Sequence, residues 1–123
     1  MLSLTTSTKI YVYTSVTDMR KGMHGLSGIV RSEFVADPTD GSLFVFINRR
    51  RDRLKILYFD EGGFWLYYRL LEVGTFEELK NPNKSSYLTI DATELSMLLS
   101  GVSLVASGRR RKRFSKKQTE QAA

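Results

Sequence analysis

Three apolar runs in the middle of the chain limit what it can fold into more than any other feature. The runs are LFVFI, ILYF and FWLYY, and the segments NRRRDRLK and DEGG lie between them. Short β-branched and aromatic runs that alternate with turn-forming segments are typical of strands joined by hairpins. The pattern therefore predicts an antiparallel three-strand meander from Leu43 to Leu71.

The two predicted turns set the register of the meander and therefore its faces. A loop over 49–52 pairs Ile47 with Leu54, and the turn at 60–63 pairs Tyr58 with Trp65. Because side chains alternate across a strand, one face is largely aliphatic, and we expect it to be the core face: Leu43, Val45, Ile47, Leu54, Ile56, Tyr58, Trp65 and Tyr67. The reverse face mixes apolar side chains with cations: Phe44, Phe46, Asn48, Arg53, Lys55, Leu57, Phe59, Phe64, Leu66 and Tyr68.

Two helices and two further strands complete the predicted fold. Segments 9–13 (KIYVY) and 87–90 (YLTI) have strand composition. We expect Thr17 or Asp18 to cap a helix over 19–34, whose apolar residues recur three and four apart. Its three glycines suggest either close packing against another element or a ragged first turn, and we place this helix on the core face.

A second, shorter helix is predicted after residue 90. Asp91 and Glu94 have the spacing of a capping box, and Gly101 is a suitable end. The predicted fold class is α+β, with an antiparallel β-meander sheet packed on one longer N-terminal helix and a short C-terminal helix.

The charge distribution divides the chain into a body and a tail. The whole chain of 123 residues has a formal charge of +6, and the segment 108–123, with seven basic residues and one acid, carries all of it. We therefore expect one domain over 1–107 and a basic tail over 108–123 that is disordered when unbound. A neutral body with concentrated cationic segments suggests a polyanionic partner.

Several function classes are disfavoured by composition. There are no cysteines and only one histidine, His24, so thiol chemistry is excluded and we expect no enzyme, cofactor or metal site. A metal-dependent nuclease remains an alternative, with Asp18, Asp60 and Glu72 as its candidate ligands. No apolar run is long enough to cross a bilayer, and no signal peptide is evident. We expect a cytoplasmic protein that associates with the nucleoid and not with a membrane.

Cations at the first predicted hairpin turn are the main candidate binding residues. Arginine grips phosphate with two parallel hydrogen bonds, so the predicted phosphate contacts are Arg49, Arg50, Arg51, Arg53 and Lys55, joined by Arg20 and Lys21. The tail would add diffuse attraction through Arg109, Arg110, Arg111, Lys112 and Arg113. Phe46 and Tyr68 flank Lys55 in one cross-strand row, an arrangement able to stack bases.

Three stretches together resemble a known family. They are DMRKGMHGL (18–26), DPTDGSLFVFINRRRDRLKILYFDEGGFWLYYRLLEVGTF (37–76) and LTIDATELSMLLSGVSL (88–104). They resemble the TnpB-type accessory protein, the second reading frame, of the sixty-six family of bacterial insertion sequences. The family usually has proline before V-D-M-R-K-G, where this chain has Val16 and Thr17, and commonly aspartate where His24 stands. A lysine-arginine pair of the family is replaced by Arg69 and Leu70.

The resemblance implies a protein encoded beside a larger transposase and needed for efficient transposition. We therefore expect a non-catalytic accessory factor that binds DNA at the ends of the element, with the element's transposase as a second partner. The alternative is a protein–protein adaptor that docks the transposase without binding DNA, through the reverse face and the acidic segment 60–78. The oligomeric state is left open by the sequence.

Overall fold

The computed structural model describes residues 7–101 and shows an α+β protein. Its strands and helices are, in chain order, β1 (Ile10–Tyr13), α1 (Met23–Ile29), β2 (Leu43–Ile47), β3 (Arg53–Asp60), β4 (Gly63–Leu70), β5 (Tyr87–Ile90) and α2 (Ala92–Ser100). A π-helical segment, Val30–Phe34, continues α1. Within residues 7–101 no helix combines the length and apolar character that a membrane span requires.

The five strands form one mixed sheet with the spatial order β4-β3-β2-β1-β5. β1 lies parallel to β2, whereas all other neighbouring strands are antiparallel. The expectation of an entirely antiparallel sheet is therefore corrected at β1. The chain passes from β1 to β2 through α1, and a helical crossover of this kind returns the chain in the same direction. The strand predicted over 87–90 is present as β5, at the far edge beside β1.

The predicted meander and its register are confirmed. Ile47 pairs with Leu54 across the first hairpin, and Tyr58 pairs with Trp65 across the second. The second turn has positive φ at both central residues, 49° at Glu61 and 82° at Gly62. Two positive φ values are characteristic of a type I′ turn, whose twist matches that of the flanking strands. The residues of the two turns therefore predict the pairing of β2, β3 and β4 correctly.

Both faces of the sheet are buried, and α1 covers the reverse face instead of the aliphatic face on which we placed it. The aliphatic face of β1, β2 and β3 packs against Leu95 and Leu98 of α2. Leu26 of α1, with Val30 and Phe34 after it, packs on the reverse face, which we call the aromatic face: Phe44, Phe46 and Leu57. Every residue of the central strand β2 is buried. Because both faces of β2 are apolar, the alternation of its side chains does not predict which helix packs on which face.

The N-terminal helix begins later than predicted. Asp18 does not cap it, because its carboxylate accepts a hydrogen bond from the Arg20 backbone N–H (2.9 Å) in a local turn, and α1 starts only after Gly22. Of the two explanations for the glycines, close packing is not observed, whereas the late start of α1 after Gly22 agrees with a ragged first turn. A Cβ atom at Gly22 or Gly28 would meet nothing within 4 Å, and one at Gly25 would meet only the Lys21 side chain.

The C-terminal helix matches its prediction at both ends. The Asp91 carboxylate accepts from the Glu94 backbone N–H (2.7 Å), and Glu94 Oε1 accepts from the Asp91 backbone N–H (2.9 Å), which is the predicted capping box. Gly101 ends α2 with a φ of 83°, a left-handed conformation that costs glycine little. The predicted basic tail lies outside the described residues.

Candidate nucleic-acid interface

Asn48 organises the turn that carries the arginines. Its side-chain oxygen accepts hydrogen bonds from the backbone N–H groups of Asp52 (3.1 Å) and Arg53 (3.0 Å), and its Nδ2 donates to Asp52 Oδ1 (2.9 Å). This hydrogen bond lowers the pKa of the Asp52 carboxyl group below its ordinary value, with smaller contributions from nearby arginines. The turn is therefore held by three side-chain contacts, and the arginines project from a fixed backbone.

Arg51 is turned away from the other arginines. It adopts a left-handed backbone conformation with a φ of 63°, and its Nε donates to the Phe76 carbonyl (3.0 Å). Its own carbonyl accepts from the Phe76 backbone N–H (2.7 Å). Arg51 is half-buried and lines a separate cavity of about 460 Å³ beside Glu78. We therefore remove it from the predicted phosphate contacts, because it ties the segment after β4 to the turn.

Arg49, Arg50 and Arg53 remain exposed and border one shallow opening of about 520 Å³, which we call the arginine depression. Its charged and aromatic lining comes from three separate stretches of the sequence: Asp18, Arg20, Arg49, Arg50, Arg53 and Tyr68. Among residues 7–101, no carboxylate lies within 4.0 Å of the Arg49 or Arg50 guanidinium. The structure thus brings the D-M-R-K segment beside the arginine turn.

Within residues 7–101, Arg20 is the one arginine of the depression that has a carboxylate partner. Its Nη2 lies 2.7 Å from Asp18 Oδ2, and its Nε contacts both oxygens of the same carboxylate at 3.1 Å. Hydrogen bonds from Arg20 lower the pKa of Asp18 from 3.8 to about 2. Asp18 is therefore ionised at neutral pH, and it offsets one of the four arginine charges.

Lys55 has a different role from the predicted one. Its side chain is only 7% exposed, and Nζ donates to the carbonyl oxygens of Met19 (2.7 Å) and Lys21 (2.8 Å). The ammonium group also lies 4.9 Å from the centre of the Tyr68 ring. The prediction that Lys55 contacts phosphate is therefore corrected. Lys55 acts as an internal clamp, by which we mean that its hydrogen bonds hold the D-M-R-K segment, and hence Arg20, against the sheet.

The two predicted stacking residues have opposite surroundings. Phe46 is fully buried beneath α1 and offers no ring surface to a base. The prediction that Phe46 stacks on a base is therefore wrong. Tyr68 is 53% exposed. Arg53 Nη1 donates to its hydroxyl oxygen (3.2 Å), and Lys55 lies against the ring. Tyr68 is thus a fixed ring at the border of the depression and remains the one candidate for stacking.

Two further predictions concern cations outside the depression. Lys21 is exposed, but only its carbonyl oxygen takes part in the site, as an acceptor for Lys55. The tail cations, Arg109, Arg110, Arg111, Lys112 and Arg113, lie outside the described residues. Among the described residues, the predicted set therefore reduces to the four arginines that border the depression, and the tail cations stay a prediction.

Sequence reasoning missed the roles of Asn48 and Thr17 in this site. Asn48 was assigned only to the reverse face, although an Asn at the end of a strand and before a turn is a recognised turn signal. Thr17 donates its backbone N–H to the Ile47 carbonyl (2.9 Å) and joins the D-M-R-K segment to the end of β2. Within the described residues its buried hydroxyl has no hydrogen-bond partner, so Thr17 is not the helix cap that was expected at Thr17 or Asp18, and no sequence signal indicated its contact with the end of β2.

The candidate ligands of the nuclease alternative do not converge. Within residues 7–101 no three His, Asp or Glu side chains are grouped so as to hold a metal ion. Asp18 is instead paired with Arg20, whereas Asp60 lines a different opening at the second turn. A two-metal mechanism needs several acids around the same ions, so Asp18, Asp60 and Glu72 do not provide that site.

A comparison with protein families decides the relationship. The family model described as "IS66 Orf2 like protein" matches residues 8–109. The chain belongs to the IS66 Orf2-like family. The match spans all the residues of the arginine depression and confirms the resemblance drawn from the D-M-R-K-G and arginine-turn motifs. It places the chain among the accessory proteins of insertion sequences.

Two similar proteins come from Sinorhizobium fredii (strain NBRC 101917 / NGR234). "Uncharacterized protein y4jC" is 39% identical over 94 residues, which cover 76% of this chain and 79% of the relative. "Uncharacterized protein y4hO" is 32% identical over 102 residues, which cover 83% of this chain and 87% of the relative. No solved structure matches the chain.

Proposed function

We propose that this IS66 Orf2-like protein binds DNA through the arginine depression and assists transposition without catalysing a reaction itself. The observation that carries the proposal is the meeting of Arg20 with Arg49, Arg50 and Arg53 around one opening. Guanidinium groups bind phosphate oxygens in a bidentate manner. Their contacts would position the duplex without reading its sequence.

The fixed backbone of the turn supports this function. Asn48 holds the turn through its own hydrogen bonds, so Arg49 and Arg50 start from a single backbone conformation. Binding then orders side chains only, which reduces the entropic cost of association. The cations of the tail would add long-range attraction to DNA, because electrostatic contacts with phosphates steer association.

The test is a titration of labelled duplex DNA with the full chain over a series of salt concentrations. Each lost phosphate contact reduces the slope of log K against log salt by about 0.9. We expect the double variant Arg49→Ala/Arg50→Ala to reduce the slope by about 1.8 and to weaken binding by up to about sixtyfold at about 0.1 M salt. The matched control is Arg31→Ala/Lys84→Ala, which removes two exposed cations elsewhere.

The control distinguishes a local interface from general charge attraction. If the depression binds DNA, the control retains most of the affinity and of the salt slope. Equal losses in the two double variants, or no loss in either, would overturn the assignment to the depression. Melting temperatures of both variants establish that the fold is intact.

A second candidate function is an adaptor that docks the element's transposase without DNA. The aromatic face, on which this hypothesis partly relied, is covered by α1. The acidic second turn still favours it, because Asp60 and Glu61 line an opening of about 400 Å³ beside the exposed ring of Trp65. Capture of the transposase after nuclease treatment, by a protein that gives no DNA shift, would support the adaptor over the DNA-binding function.

A further inference from the structure

β4 is a long strand at the edge of the sheet. It has eight residues, whereas β5 at the opposite edge has four. Within residues 7–101, no strand pairs with the outer side of β4. Natural proteins protect such edges with short strands, proline, bulges or several charges. β4 contains no proline and only one charged residue, Arg69, so it lacks these protections.

The hydrogen bonds show which backbone groups of β4 point outward. The Leu71 N–H donates to the Asp52 carbonyl (2.8 Å) across the β3–β4 ladder. Inward-bonded residues alternate with outward ones in an antiparallel pair, so Gly63, Trp65, Tyr67 and Arg69 bond to β3. The outward N–H and C=O groups belong to the intervening residues: Phe64, Leu66, Tyr68 and Leu70.

Three large apolar or aromatic side chains of β4 are exposed: Trp65, Tyr68 and Leu70. Trp65 is 47% exposed and Leu70 is 45% exposed. Trp65 also stacks on Tyr67 of the same strand, with ring centres 6.4 Å apart. Exposed aromatic residues beside unpaired backbone groups are the features of a strand-addition surface.

We propose that β4 pairs antiparallel with β4 of a second copy of this chain about a two-fold axis. Outward residues must face outward residues, and among the registers that satisfy this condition we propose the one that places Leu66 opposite Leu66 of the second copy, and Phe64 opposite Tyr68. This register places Trp65 opposite Tyr67, which makes two aromatic cross-strand pairs on one face. A two-fold interface requires such a self-complementary strand.

Charge complementarity favours a second copy as the occupant. In the same register Arg69 lies opposite Gly63 of the second copy, whose missing side chain leaves space for the guanidinium. Glu61 lies two residues from Gly63, within diagonal reach of Arg69. The single cation of the strand therefore meets an acid of the second turn, and the two-fold axis forms this pair twice.

Pairing would also place both arginine depressions on the same side of a continuous sheet, because a two-fold axis normal to the sheet keeps its faces together.

The interface itself does not depend on the proposed DNA binding. Tyr68 would face Phe64 of the second copy, so stacking of a base on Tyr68 would compete with dimerisation. Arg49 and Arg50 lie outside the β4 pairing and would remain accessible.

The association test is sedimentation velocity of the full chain without DNA, from low micromolar to millimolar concentration. Trp65→Lys places a charge on the edge and should raise the dimer dissociation constant by about tenfold or more. The matched control is Val35→Lys, which changes an 85% exposed apolar residue outside the sheet and should leave association unchanged. A monomer at all concentrations, or a dimer insensitive to Trp65→Lys, would overturn the proposal.

The register has a separate test by charge exchange. Arg69→Glu should weaken the dimer by about fivefold for each of the two symmetric pairs, and Glu61→Arg combined with Arg69→Glu should restore it. Circular dichroism melting of each variant checks the monomer fold. Weakening without recovery in the double variant would reject this register, and DNA titration of the same variants keeps the result distinct from that of the DNA-binding proposal.

Discussion

Replacing Lys55 with Met tests whether this buried lysine clamps the D-M-R-K segment to the sheet. The Nζ atom donates to the carbonyl oxygens of Met19 and Lys21 at 2.7 and 2.8 Å. Hydrogen bonds to a charged group contribute about 1.5–3 kcal/mol each. Because Met retains most of the aliphatic packing but offers no donor, Lys55→Met leaves both carbonyl oxygens without this partner.

The expected cost is smaller than the sum of the two hydrogen bonds. Removing the ammonium group also removes the penalty for burying a charge, so we expect a net loss of about 2–3 kcal/mol in the free energy of unfolding. For a domain of this size that loss corresponds to a decrease of about 10–20 °C in melting temperature. The variant should still fold at 25 °C, since native stabilities are about 5–15 kcal/mol.

The assay is urea unfolding followed by circular dichroism, with Lys80→Met as the matched control. Lys80 is exposed, and a surface substitution of this kind changes stability by about 0.5 kcal/mol or less. A second measurement, DNA titration, should show weaker binding by Lys55→Met because Arg20 is no longer held beside the turn. Equal stability losses in the two variants, or a loss below about 0.5 kcal/mol for Lys55→Met, would refute the clamp.

Two further predictions concern the depression. Asp18 should titrate with a pKa of about 2 by carbon NMR, and this pKa should return toward 3.8 in Arg20→Ala. Because Arg20 lowers the pKa of Asp18 in the folded state, the pair stabilises the fold above pH 4, and this stabilisation is lost as the pH falls toward 2. An unchanged pKa in the variant would contradict the pairing. Asn48→Ala should lower the free energy of unfolding by about 2 kcal/mol, whereas Asn83→Ala, at an exposed position, should not; equal urea midpoints would show that Asn48 does not hold the turn.

Short-range features of the chain were predictable because their causes lie within a few residues of one another. The strand pairings of Ile47 with Leu54 and of Tyr58 with Trp65 follow from two turns and the alternation of side chains. The capping box of Asp91 with Glu94 follows from a spacing of three. In each case turn or helix geometry fixes the partner without reference to the rest of the fold.

The arginine site was predictable in part. Arg49, Arg50 and Arg53 form the expected exposed group, and Arg20 joins them. Arg51 belongs to the same run in the sequence, yet it points to Phe76, 25 positions away. A run of arginines does not indicate which of them donates a hydrogen bond to a distant backbone carbonyl, because the acceptor belongs to another part of the chain.

The sequence by itself determined the strands, their meander register, the C-terminal helix and the concentration of cations at one turn, since these depend on local geometry and on the order of residues. Only the tertiary structure decided that α1 covers the aromatic face, that β1 runs parallel to β2, and that Lys55 is an internal clamp. Both sheet faces are apolar, so burial alone favours neither arrangement. The crossover through α1 determines the parallel direction of β1 and β2 and the face that α1 covers. The role of Lys55 depends on the Met19 and Lys21 carbonyls, which lie near its ammonium group only in the folded chain.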